Sequence, residues 1–89
     1  MENAYGIAAF RSRQQVLYFE DLLRRNGVSA GIVTTPRAVA LGCGLSVRYN
    51  TADVDRVRDM LRRGNPGNLI GLYRVEPNGN KTQIVPIRR

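Results

Sequence analysis

The sequence predicts an α+β fold: strands and helices in the order β-α-β-β-α-β, with one more strand after them. Three observations carry this prediction. Val16, Phe19, Leu22 and Leu23, and later Val54, Val57, Met60 and Leu61, recur at helical spacing. Short apolar or alternating runs at Ala4–Phe10, Val28–Thr34, Leu45–Tyr49, Leu69–Val75 and Thr82–Val85 have strand character. Turn residues separate them at Asn26-Gly27, Thr35-Pro36, Gly64-Asn65-Pro66-Gly67 and Asn78-Gly79. Two helices on one face of an antiparallel sheet, joined by right-handed crossovers, give a ferredoxin-like split βαβ with an appended C-terminal β-hairpin strand. All 89 residues are expected to form a single domain, with its core over 4–75 and the hairpin and tail at 76–89.

Each element has a local reason. The Ala4–Phe10 run is nearly uncharged and reads as a buried strand. Ser12 followed by Gln15 is a capping-box signature that opens a helix running to about Asn26. Arg24 and Arg25 suit the negative end of that helix, and Asn26-Gly27 supplies a left-handed stop. Val28–Thr34 is β-branched and ends at Pro36, which has no N–H to give a ladder. Arg37–Gly44 has no clear period and reads as a loop holding at most one helical turn. Leu45–Tyr49 alternates, so one face of this strand is buried. Asn50 or Thr51 caps the second helix, with Asp53 in its first turn and Asp59 and Arg63 spaced to pair. Asn78-Gly79 is a two-residue hairpin signal, and Pro86 to Arg89 reads as a fraying tail.

Composition removes several chemistries. The chain has no histidine and one cysteine, so it can build no Ser-His-Asp triad, Cys-His dyad, internal disulfide or multi-cysteine metal cage. No metal site and no cofactor are expected. Seven scattered carboxylates show no acid/base spacing, which places an independent enzyme last among the options. No apolar run reaches the ~18 residues of a membrane span, and the N-terminus lacks signal-peptide character, so a cytoplasmic protein without membrane attachment is expected. The net charge is +7, with a surplus of +2 over residues 1–45 and +5 over 46–89, and 13 of the 14 bases are arginine. Such a surplus suits an anionic partner or a solvated, arginine-decorated surface.

Cys43 is the leading nucleophile if the chain does covalent chemistry. It stands between Gly42 and Gly44, whose backbones reach conformations closed to other residues and leave the sulfur open. Successive N–H groups in such a bend converge on an anion. Arg37, anchored by the rigid Pro36, lies six residues before Cys43, and Arg48 five after it. Nearby cations lower a thiol's pKa and raise its thiolate fraction. The structural alternative is equally concrete. If the third strand begins at Gly42, period 2 puts Cys43 beside Leu45 and Val47 as a small buried hydrophobe.

The series Phe10-Arg11-Ser12, Thr35-Pro36-Arg37, Cys43-Gly44-Leu45 and Gly71-Leu72-Tyr73-Arg74-Val75 resembles a small bacterial family of selenium/sulfur carrier-like proteins, over residues 4–75. The resemblance implies a carrier whose cysteine, here Cys43, accepts a persulfide or selenide from a cysteine-desulfurase-type donor and passes it to a partner protein. It places the family's following glycine on Gly44 and its proline-arginine pair on Pro36 and Arg37. Arg48, Gly42 and Gly44 would join Arg37 in holding the sulfur as an anion. Asn78 to Arg89 and the high arginine content depart from the family pattern.

Two other classes stay open beside the carrier. One is a basic ferredoxin-like module that binds RNA non-specifically through arginines and the aromatic residues Tyr5, Phe10, Tyr49 and Tyr73. The other is a protein-interaction module with a structural cysteine. A homo-oligomer through the uncovered sheet face or an edge strand is compatible with all three.

Overall fold

A computed structural model describes residues 4–39 and 44–88 of the chain. Its elements are β1 (Tyr5–Phe10), α1 (Arg13–Arg25), β2 (Ala30–Thr34), β3 (Leu45–Tyr49), α2 (Val54–Gly64), β4 (Leu69–Asn78) and β5 (Lys81–Ile87). Single 3-10 turns at Arg37–Val39 and Thr51–Asp53 precede β3 and α2. The fold is α+β, as predicted. The five strands form one sheet in the order β2-β3-β1-β4-β5, and every neighbouring pair is antiparallel. Because β3 opposes both β1 and β2, those two run the same way with β3 inserted between them. The crossover through α1 therefore passes over β3.

Both helices lie on the same sheet face. Val16, Phe19 and Leu23 from α1 and Val57 from α2 pack with Ala8, Phe10, Val47, Tyr49 and Leu72 in one buried cluster. The strand members are alternate residues, as the period of a strand requires. Phe10 and Phe19 meet with ring centroids 5.6 Å apart at 55°. This is the tilted geometry that aromatic quadrupoles prefer. Leu22, Val54, Met60 and Leu61 complete the two apolar stripes as partly buried neighbours.

Opposite the helices, Ile7, Ala9 and Val75 are also buried although no helix covers them. Side chains of the sheet do the covering. A Cβ built on Gly71, which faces Ala9 in register, would lie 3.1 Å from the Tyr73 hydroxyl, so the Tyr73 ring lies back across that glycine. Tyr5 takes the Arg48 guanidinium over its ring at 4.0 Å. This face is therefore capped by two tyrosines rather than left bare.

Gly6 and Tyr49 are opposite one another on the helix side. A Cβ on Gly6 would overlap the Tyr49 ring, so the glycine is required by close approach rather than by its dihedrals. Gly6→Ala is expected to lose about 1–3 kcal/mol, the usual range for overpacking a close-packed core. A urea midpoint unchanged within error would show that Tyr49 has another place to go.

The Tyr49 hydroxyl itself is buried with no hydrogen-bond partner among the described residues. Burial pushes its pKa from 10.0 up to about 12, with the Arg58 charge opposing the shift. Below pH 10 the phenol is neutral in folded and unfolded chains alike. Above it the unfolded chain ionises first, so stability falls as pH rises from 10.0 towards about 12. Tyr49→Phe is expected to remove that part of the alkaline loss and to cost little at neutral pH, since the lost hydroxyl had no partner. Urea midpoints for the two chains from pH 9 to 12 should diverge only at the alkaline end.

Several boundaries differ from expectation, each for a physical reason. Ser12 occupies the N-cap of α1 but makes no side-chain cap bond; its carbonyl accepts from the Gln15 and Val16 amides instead, so the capping box does not form. Gly27 takes φ 79 as the left-handed stop, and Asn65 takes the same role after α2 at φ 42. β2 begins at Ala30 rather than Val28, because the Val28 amide is held by the Leu23 carbonyl at the helix end. Asn50 caps only the Thr51–Asp53 turn, again without a side-chain bond. β4 continues through Pro77 to Asn78, and Asn78 pairs with Lys81, so the two residues of the hairpin turn are Gly79 and Asn80. Pro86 is part of β5, opposite Tyr73, and not of a fraying tail. It sits on the sheet's outer strand, where a missing N–H costs no ladder bond.

Candidate functional site

The loop that carries the cysteine leaves the sheet between its second and third strands. Thr34 and Leu45 form the last rung of the β2–β3 ladder. One step beyond, the Thr35 amide donates to the Gly44 carbonyl at 2.8 Å, and the Thr35 and Ser46 hydroxyls share a 2.7 Å hydrogen bond. Ser46 is wholly buried, so this bond satisfies a polar group that would otherwise be costly. The two strands are thereby clamped where the loop begins and ends. From the clamp the chain passes Pro36 into the 3-10 turn Arg37–Val39, whose last amide returns to the Pro36 carbonyl at 2.9 Å. Val39 is 4% exposed and anchors the turn, while Arg37 stays exposed.

Gly44 closes the loop with φ +87 and open space where a side chain would stand. Only glycine takes that conformation without strain, so the glycine following Cys43 has a conformational reason to be there. Cys43 and Gly42 lie outside the described residues. β3 begins at Leu45, not at Gly42.

The predicted site residues divide by position. Pro36, Arg37 and Gly44 belong to the loop and its pinned base. Arg48 is set apart from them: it stands in β3 opposite Ile7, on the tyrosine-capped face. Its guanidinium leans over Tyr5, towards the end of β3 away from Gly44. It lies four steps along the chain from Gly44, roughly 13 Å at strand rise. The aromatic residues also divide. Tyr5 and Tyr73 lie on the capped face, whereas Phe10 and Tyr49 are buried under the helices, so the four form no common stacking platform.

The Thr35–Ser46 clamp was not foreseen. Its signal was present in a serine hydroxyl on one strand and a threonine one step past the end of its neighbour, yet only the antiparallel register brings the two together. Among the described residues no group of three His, Cys, Asp or Glu is placed to hold a metal ion. No helix among them is long and apolar enough to cross a membrane.

A family model described as "Putative Se/S carrier protein-like" matches residues 5–70, from β1 through the start of β4. No curated protein and no solved structure matches the chain.

Proposed function

The chain belongs to the Se/S carrier protein-like family, and from that premise we propose that it carries sulfur or selenium on Cys43 and hands it to a partner protein. The family match supports this reading because it spans the whole cysteine loop in a chain with a single cysteine and no histidine. The strand order β2-β3-β1-β4, with both helices on one face, supports reading the fold as a ferredoxin-like split βαβ to which β5 is appended. In that arrangement the loop sits at a sheet end, and the clamp at Thr35, Gly44 and Ser46 fixes its two ends.

The chemistry is thiol exchange without net oxidation. The Cys43 thiolate attacks the outer sulfur of a donor persulfide, R–S–SH. A bond forms between the Cys43 sulfur and that outer atom, the donor S–S bond breaks, and R–S⁻ leaves, giving Cys43–S–SH. The selenium case is the same step on R–S–SeH. An acceptor nucleophile then takes the outer atom and releases the Cys43 thiolate. With no second cysteine in the chain, no internal disulfide can divert the persulfide. Arg37, exposed at the loop's entry, is assigned to hold the sulfur as an anion together with backbone N–H groups at Gly42 and Gly44. Pro36 fixes the start of the turn that presents Arg37. Arg48 is assigned an indirect part, as a positive charge on the neighbouring face.

Incubation with a cysteine desulfurase and free cysteine, followed by intact-mass spectrometry, tests the reading. A gain of about 32 Da, or about 80 Da with selenocysteine, removable by a thiol reductant, is expected. A chain that stays at its starting mass while the desulfurase turns over rules carriage out.

A further inference from the structure

We propose that the outer edge of β2 is a dimer interface, on which a second copy of this chain pairs antiparallel to form a continuous sheet across a two-fold axis. The two edges of the sheet are built differently. β5 carries Lys81 and Pro86, both exposed, and these discourage another strand from adding to it. β2, Ala-Gly-Ile-Val-Thr, has neither charge nor proline, and no described strand pairs with its outer side. The segment from Gly27 to Pro36 has no charged residue at all. Such an edge on a soluble chain needs a cover.

Exposed apolar side chains gather on the same flank. The large exposed hydrophobics among the described residues are Leu17 at 48%, Ile32 at 39% and Tyr18 at 41%. Tyr18 turns towards α2, where its hydroxyl donates to the Gly64 carbonyl. At helical spacing Leu17 falls on the opposite flank of α1, and α1 lies over β2 and β3, so that flank overhangs the β2 edge. Ile32 faces Val47 in register and therefore points to the helix side, beneath the overhang. Leu17 and Ile32 thus both add exposed apolar surface on the side of the uncapped edge.

The occupant is identified by self-complementarity and by charge. Antiparallel pairing centred on Ile32 sets Ile32 against Ile32 of the second copy, Ala30 against Thr34, and Gly31 against Val33. Nothing lies within 4 Å of the Cβ position of Gly31, so on the far face that gap accepts the neighbouring valine. The chain's charge of +7 would repel a second copy at most surfaces. The α1 flank is an exception, because Glu20 pairs with Arg24 at 3.3 Å and Asp21 with Arg25 at 2.9 Å. Beside them the β2 segment from Gly27 to Pro36 is uncharged, and Arg13 is the charge of α1 that has no ion pair among the described residues.

Sedimentation velocity of the full chain across the micromolar range tests this. Twice the chain mass is expected at the upper end, with slowed hydrogen exchange at the alternate amides of residues 30–34 that point away from β3. Ile32→Lys is expected to weaken association about tenfold or more, and Leu17→Glu, on an exposed helix site, to act in the same direction with an unchanged circular dichroism spectrum. A single-chain mass at every concentration overturns the proposal. So does a dimer that neither substitution weakens, since its interface then lies elsewhere.

Discussion

Cys43→Ser is expected to take up no sulfur from a desulfurase while keeping the fold of the parent chain. The hydroxyl that replaces the thiol cannot form a persulfide, so the loss is complete rather than graded. Fold retention follows from where the loop is held. Its anchors are the Thr35–Gly44 backbone bond, the Thr35–Ser46 hydroxyl pair and the buried Val39, none of which uses the sulfur. A Cys43→Ser chain that gains the same mass as the parent would place the acceptor elsewhere and end the carrier assignment. Arg37→Ala is expected to slow loading by up to about tenfold, since a cation near a thiol raises its thiolate fraction. Arg48→Ala serves as the contrast. Its guanidinium is stacked on Tyr5, so a smaller effect on loading is expected than for Arg37. Equal losses for both arginines would mean that charge at a distance matters more than the loop's own cation.

Phe19→Ala is expected to remove about 3–5 kcal/mol of stability, the range for truncating a buried phenylalanine. A chain of 89 residues has about 4–13 kcal/mol in total at the usual ~0.05–0.15 per residue, so the variant would lose about a quarter of its stability or more. The reason lies in the position of Phe19. It is fully buried at the centre of the α1 stripe, against Phe10 of β1, and joins the first strand to the helix that crosses the sheet. Removing the ring leaves a cavity between two elements that cannot both close on it. Gln14→Ala, on the exposed side of the same helix, should stay within about 0.5 kcal/mol. Thermal and urea unfolding of the two variants side by side would show the contrast. A Phe19→Ala loss below about 1 kcal/mol would be incompatible with α1 packing through that face.

Much of the helix-side core could be read in advance because each contributor repeats at its own period. Val16, Phe19, Leu22 and Leu23 announce the face of α1, and Leu45, Val47 and Tyr49 announce that of β3. Less could be read at the helix starts. Ser12 and Gln15 have the residue types of a capping box, yet Ser12 meets the first turn through its backbone carbonyl. Residue type permits that reciprocal bond; side-chain direction decides whether it forms. The hairpin shows the same limit. Asn78-Gly79 marks the turn, but the pairing of Asn78 with Lys81 moves the turn by one residue and draws Pro86 into β5. Register in a long hairpin is set by its full length of cross-strand pairs, and a dipeptide samples only its tip.

The candidate site was legible as a set of residue types and not as an arrangement. Gly44 needed only its neighbours to be identified as conformationally special, and φ +87 bears that out. Arg37 and Arg48 stand at nearly equal spacing along the chain, six and five residues from Cys43. They differ because one sits on an exposed turn and the other on a strand beside Tyr5, a residue more than forty positions away in sequence.

The order and type of the elements, the absence of histidine, the single cysteine and the need for glycine after it were determined by the sequence alone. These properties are local: periodicity, turn chemistry and composition act over a few residues. The insertion of β3 between β1 and β2 was decided only in three dimensions. So were the clamp of Thr35 on Ser46, the Arg48 stack on Tyr5, the Tyr49 hydroxyl left without a partner among the described residues, and the place of β2 at the sheet's edge. Each joins groups that are distant along the chain, and their meeting depends on which strands pair and in what register. Short-range pattern cannot specify that pairing, because it is fixed by burying all the apolar faces together.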